Sequence, residues 1–271
     1  MLEFEKFVEA VKQLILKAHT EIPEDVEKAL RGAYEIEESE IARRNLEIIL
    51  ENLEIAKKNR VPICQDTGLP IFFVEIGRDF ELDFDIKKAI SVAVKEMTPK
   101  ILRPNAVHPI TRVNSGDNTG VGVPIVNCEI VDGHRLRIVY LPKGAGSENV
   151  SALRMLLPME VKKIKNFVVE VVANAMGLPC PPIVVGLGIG GSFDLSTKLA
   201  KKALLRRLDS MNEFELEILS AVNDLGIGPM GLGGKTTALA VLSEIAHCHT
   251  ASLPVAVNIQ CWANRRAEVI L

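Results

Sequence analysis

Apolar side chains recur at helical spacing through residues 3–59, first at Phe7, Val8, Val11, Leu14 and Ile15 and later at Ile41, Leu46, Ile49, Leu50, Leu53 and Ile55. Glu, Lys and Arg fill the positions between them, so amphipathic helices docked on a core are predicted, broken at ThrGluIlePro (20–23). The pattern then changes. After a loop at 62–68, the β-branched and aromatic run LeuProIlePhePheValGluIle (69–76) predicts a strand, and 85–96 returns to helix. Strands are predicted at 123–130 and 135–141, joined as a hairpin through an AspGly turn. Helices are predicted near 148–157, 159–177, 194–207, 212–223 and 235–246, with strands near 183–187 and 254–260. This succession is α/β in the mixed α+β sense: a helix-rich single domain over 1–271 with short mixed sheets, divisible into two lobes.

The chain has 271 residues, 48% of them hydrophobic, and a formal charge of −3, which describes a soluble globular protein with a sizeable core. That balance speaks against disorder and against a nucleic-acid partner. The first residues mix charges into an amphipathic pattern and lack the basic region and apolar block of a secretory signal, so a cytoplasmic location is expected. One uncharged stretch, 171–193, approaches the length of a membrane span. Pro179, Pro181 and Pro182 and the glycines from 186 to 191 break it into helix, turn, buried strand and glycine loop, and no membrane partner is expected.

Two glycine motifs invite a nucleotide reading. GlyLeuGlyIleGlyGly (186–191) has the dinucleotide spacing and follows a strand, but the chain afterwards stays helical and charged instead of returning to a strand that ends in an acid. Close backbone packing beside a strand is favoured there. GlyGlyLysThrThr (233–237) lacks the first glycine of a phosphate loop, since Pro229 stands at that position. It reads instead as a turn into a helix N-terminus whose N–H groups hold a carboxylate or cap the helix.

The five cysteines are an odd number in a chain too long to need stapling, which fits reduced thiols. Cys128, within a predicted strand, and Cys248, at a predicted helix end, read as small buried hydrophobes. Cys64, Cys180 and Cys261 fall where loops meet elements, and three thiolates without an obvious fourth describe a metal centre with one open position. The stretch 104–122 is dense in Asn, Gly, Thr, Pro and charge, and loops this polar are where function tends to sit.

Six motifs occur in order: CysGlnAspThrGly (64–68), AsnSerGlyAspAsnThrGlyValGlyValPro (114–124), LysGlyAlaGlySerGluAsn (143–149), CysProPro (180–182), LeuGlyIleGlyProMetGlyLeuGlyGlyLysThr (225–236) and CysTrpAlaAsnArgArg (261–266). With these the chain resembles, over essentially its whole length, the alpha subunit of the class I iron–sulfur fumarate hydratases, a group related to the L-tartrate dehydratases. The resemblance implies a [4Fe–4S] cluster held by Cys64, Cys180 and Cys261, with the fourth iron acting as a Lewis acid toward malate. It implies substrate contacts at Gln65, Asp66, Arg103, Gly146 and His249, with Asp66 and His249 orienting the hydroxyl and managing a proton. It further implies fumarate and L-malate as substrates within the tricarboxylic acid cycle, and a separate beta subunit that completes the site in a heterotetramer.

Fumarate is preferred to tartrate because the LysGlyAlaGlySerGluAsn and HisProIleThrArg loops look like the fumarase version. Two readings of other classes stand beside it. One is an electron-transfer protein with Cys128 or Cys248 as fourth ligand, and the other is a nucleotide-binding module on the glycine loops.

Overall fold

The computed structural model describes residues 2–271 as a mixed α/β chain of two compact units. The first unit takes the segment up to Pro23, Leu53–Gly144 and Arg265–Leu271; the second takes Glu24–Asn52 and Ala145–Asn264. Among the described residues no helix is long and apolar enough to cross a membrane.

In the first unit, α1 (Phe4–Thr20) and α4 (Ile86–Met97) pack on a four-stranded sheet. Its strands are β1 (Leu69–Gly77), β2 (Ile125–Val131), β3 (Leu136–Lys143) and β8 (Ala267–Ile270), in the order β2-β1-β3-β8. The α1 stripe read from the sequence is the buried one: Phe7, Val11, Leu14 and Ile15 are all at most 3% exposed and meet Ile90 and Val94 of α4 and Phe72 of β1 in one core. Asp85 starts α4 by accepting the N–H groups of Lys87 and Lys88, two donors that the helix itself leaves without partners.

The hairpin expected between 123–130 and 135–141 does not form. Both strands exist, but β2 pairs parallel with β1 and β3 pairs antiparallel with it, so β1 lies between them. The reason is at the end of β1. Arg78 N–H bonds to the Val131 carbonyl and Asp79 N–H to that of Gly133, so the AspGly turn closes over β1 instead of joining two neighbours. Gly77 permits this, since a Cβ there would meet the Gly133 carbonyl oxygen at 2.5 Å.

The second unit is a sheet with helices on both faces. Its order is β4-β7-β5-β6, from β4 (Ala152–Leu156), β5 (Ile183–Gly190), β6 (Ala238–Ala246) and β7 (Leu253–Gln260). Ile183, Val185, Leu187 and Ile189 of β5 share a core with α6 (Ile164–Ala175) and α8 (Glu213–Asn223). The alternate residues Gly186 and Gly188 face α7 (Phe193–Ala203) at backbone distance: a Cβ on Gly188 would lie 1.8 Å from the Ser196 carbonyl oxygen. Glycines 186 and 188 therefore serve helix–strand packing, as favoured from the sequence. The remaining helices are α2 (Glu24–Ile36), α3 (Glu40–Asn59) and the single turn α5 (Ala145–Glu148).

Two predicted helices are strands. Residues 148–157 hold β4, a short edge strand, and 235–246 hold β6, whose residues 238–243 are all buried. A run buried on both faces has no alternation, and periodicity cannot tell it from a buried helix. GlyGlyLysThrThr consequently leads into a strand, not a helix N-terminus, and the N–H of Lys235 is already taken by the Glu37 carboxylate at 2.8 Å. The buried-hydrophobe reading of two cysteines is also overturned: Cys128 is on β2 and Cys248 in the β6–β7 connection, and both are exposed.

Candidate active site

The first unit brings Cys64, Gln65, Asp66 and Arg103 together. Cys64 is half-buried and Gln65 exposed, in a turn that enters β1. Asp66 folds that turn on itself, its Oδ1 accepting the Gly68 N–H at 2.8 Å. Gly68 has φ +73 and approaches the Lys143 backbone so closely that a Cβ would sit 2.8 Å from its nitrogen, so only glycine fits. Gly144 is matched to Asp66 in a similar way, with Asp66 Oδ2 at 3.2 Å from where a Cβ would stand. Thr67 is buried, and its hydroxyl oxygen accepts the Arg103 N–H at 2.9 Å and an Asn105 amide N–H at 3.1 Å. The Arg103 side chain is left exposed, with its backbone fixed beside the cysteine turn.

Asn118 holds the other side of this arrangement. It is 1% exposed at φ +58, a conformation that asparagine tolerates better than most residues. Its Oδ1 accepts the N–H groups of Asn105 and Ala106, and its Nδ2 donates to Thr98 Oγ1 and to the Arg103 carbonyl. One buried amide thus uses donors and acceptors together to fix the Arg103 segment. Asn118 lies inside the 114–124 motif, and its place between Gly116 and Gly120 is the signal the sequence offers for this role.

The second unit brings Cys180 and Cys261 together. Cys180 is exposed at φ +55, and its carbonyl accepts the Trp262 N–H at 3.2 Å, which places the residue following Cys261 against it. A left-handed conformation costs a non-glycine residue about 1–2 kcal/mol, so the surrounding contacts impose it. They include the ProMetGly turn at 229–231: Met230 N–H donates to the Pro181 carbonyl at 2.8 Å, and a Cβ on Gly231 would meet Gly177 Cα at 2.6 Å. The glycine-rich loop is a buttress for the Cys180 segment. Gly146, in α5, runs beside the same segment, 3.4 Å separating its would-be Cβ from the Leu178 carbonyl oxygen.

His249 is not with them. It lies exposed in the turn before β7, whereas Cys261 follows β7, and eight extended residues span about 26 Å. Its Nδ1 accepts the Ala251 N–H at 3.1 Å, so a neutral ring carries its proton on Nε2.

Among the described residues none of the five cysteines forms a disulfide, and no group of three or more His, Cys, Asp or Glu converges as a metal site. The donor set nevertheless fits an iron–sulfur group in kind. Thiolate sulfur is the ligand such groups take, and Cys64, Cys180 and Cys261 all stand on irregular backbone with at least partial exposure.

Residues 8–270 match the protein family described as fumarate hydratase (Fumerase). A protein of Methanocaldococcus jannaschii, provisionally named L(+)-tartrate dehydratase subunit alpha, is 50% identical over 274 residues, covering 97% of this chain and 96% of that protein. One of Geobacillus stearothermophilus, provisionally named fumarate hydratase class I, is 36% identical over 98% of this chain but only 55% of its own length. The L(+)-tartrate dehydratase subunit alpha of Escherichia coli strain K12 is 34% identical over 98% of this chain and 91% of its own.

Proposed function

The chain belongs to the fumarate hydratase family and is a hydro-lyase; from that premise we propose that it is the cluster-bearing alpha subunit of an enzyme that interconverts fumarate and L-malate. The family match over residues 8–270 carries the proposal. A separate beta subunit is supported by length. The relatives named as alpha subunits are covered over at least nine-tenths of their chains, while the one named as a class I fumarate hydratase is nearly twice as long.

Cys64, Cys180 and Cys261 would hold the [4Fe–4S] cluster, which when bound supplies a Lewis-acidic iron that polarises the substrate C–O bond. Arg103, anchored by its backbone and exposed at its guanidinium, pairs with a substrate carboxylate, a bidentate match that lysine cannot reproduce. Gly146, lacking a Cβ, lets a carboxylate approach backbone N–H groups. Gln65 is exposed beside Cys64 and donates its amide to the substrate. The Asp66 carboxylate, fixed through Oδ1, orients the hydroxyl. His249, whose Nδ1 is taken by the Ala251 N–H, carries on Nε2 the proton exchanged with that hydroxyl.

The second reading, tartrate dehydration, is favoured by the names of the M. jannaschii and E. coli relatives. Turnover of fumarate, L-malate and tartrate by the anaerobically reconstituted heteromer separates the two. Fumarate hydration is expected to exceed tartrate dehydration by at least about tenfold in kcat/KM, and the opposite ratio would replace the first reading with the second.

A further inference from the structure

Arg265 is one of the largest fully buried side chains, 1% exposed, and its charge is not spent on an ion pair in the way buried charges ordinarily are. Its Nη2 donates to the backbone carbonyl of Asp66 at 2.9 Å. Its Nε and Nη1 are buried with no hydrogen-bond partner among the described residues. His19 and Tyr140 feel its charge. They bond to each other, Nε2 to hydroxyl at 3.0 Å, and both are held neutral. Burial, then the Arg265 charge, keeps the imidazole well below its ordinary range, while burial pushes the phenol up against a smaller opposing pull from Arg265.

A guanidinium kept in such surroundings carries a desolvation cost, and the one acceptor it reaches among the described residues lies in the Cys64–Gln65–Asp66 turn. We propose that Arg265 is a positioning residue, its Nη2–H bond to the Asp66 carbonyl locking the turn that presents Cys64, Gln65 and Asp66. The bond falls between two other anchors of the same segment, the Ile63 N–H on the His19 carbonyl and the Thr67 hydroxyl under the Arg103 N–H. Arg265 therefore fixes the middle of a turn whose ends are already held. Its importance for catalysis rests on the proposed function above, but the bond itself can be tested without cluster, substrate or partner.

The test is amide hydrogen exchange on the full chain, comparing the parent with Arg265→Met and Arg265→Lys. Methionine keeps the length and apolar stem without a donor, and lysine keeps one cationic donor, which is all that the observed bond uses. Residues 63–68 are expected to exchange at least about tenfold faster in Arg265→Met, with the amides of β3 unchanged, and within about threefold of the parent in Arg265→Lys. Unchanged exchange at 63–68 in Arg265→Met would overturn the proposal, as would acceleration shared equally by β3. Arg265→Lys decides alone if the methionine variant fails to fold, since a tenfold acceleration there would equally overturn it. Because no activity is read, failure of the fumarate hydratase reading would leave these outcomes unaffected.

Discussion

Cys180, held at φ +55 by the Trp262 and Met230 backbone bonds, is presented by a conformation that its own side chain disfavours. Cys128 and Cys248 have no comparable framework; they are exposed on an edge strand and a connecting turn. Serine at position 64, 180 or 261 is therefore expected to abolish bound iron and acid-labile sulfide after anaerobic reconstitution, while Cys128→Ser and Cys248→Ser load normally. Iron and sulfide analysis per chain reads both outcomes. A second residue-scale prediction concerns His19, whose burial lowers its proton affinity in the fold from the ordinary value of 6.5. Below about pH 6.5 the unfolded chain binds a proton there that the folded chain refuses, so this contribution to stability is present above that pH and is lost as pH falls. The unfolding free energy from urea titrations at pH 8, 7, 6 and 5 is expected to fall on the acid side, by up to about 1.4 kcal/mol per pH unit from this group, and to fall less in His19→Gln.

At the scale of elements, β5 and α7 meet through glycines, and the overlap predicted for a methyl group is with backbone, which cannot rotate away. Gly188→Ala is expected to destabilise the chain by about 3 kcal/mol or prevent folding. Gly32, inside α2 with nothing within 4 Å of a would-be Cβ, gives the opposite sign: Gly32→Ala is expected to stabilise by about 0.5–1 kcal/mol. Denaturant unfolding of both variants checks the pair.

The same scale explains what could be read from the chain. The helices α1 and α4 were legible because one face is apolar and the other charged, so burial leaves a period in the sequence; α3 forms as predicted, but Ile41 and Ile55 of its predicted stripe are exposed. Strand β6 was not, because AlaLeuAlaValLeuSer is buried throughout, and the short strand β8 offers too few residues for any period. The pairing of β2 and β3 with β1 depends on backbone bonds from Arg78 and Asp79 that side-chain patterns do not encode. Among site residues, the cysteine turns stood out by residue type. Asn118 and Arg265 did not, since their roles are set by which distant carbonyls they reach.

For the whole molecule, the residues that the proposed function calls on are found in both units. The first carries Cys64, Gln65, Asp66 and Arg103; the second carries Gly146, Cys180, His249 and Cys261. Hydration of fumarate also needs a proton donor and acceptor at the neighbouring carbon and cations for the second carboxylate. The proposed beta subunit supplies these, which makes partner dependence the central claim. The most direct measurement is fumarate hydration by the anaerobically reconstituted chain, assayed alone and together with its beta subunit. Turnover is expected only from the complex and is expected to vanish in Cys64→Ser; equal turnover by the chain alone, or undiminished turnover without iron, would contradict the account.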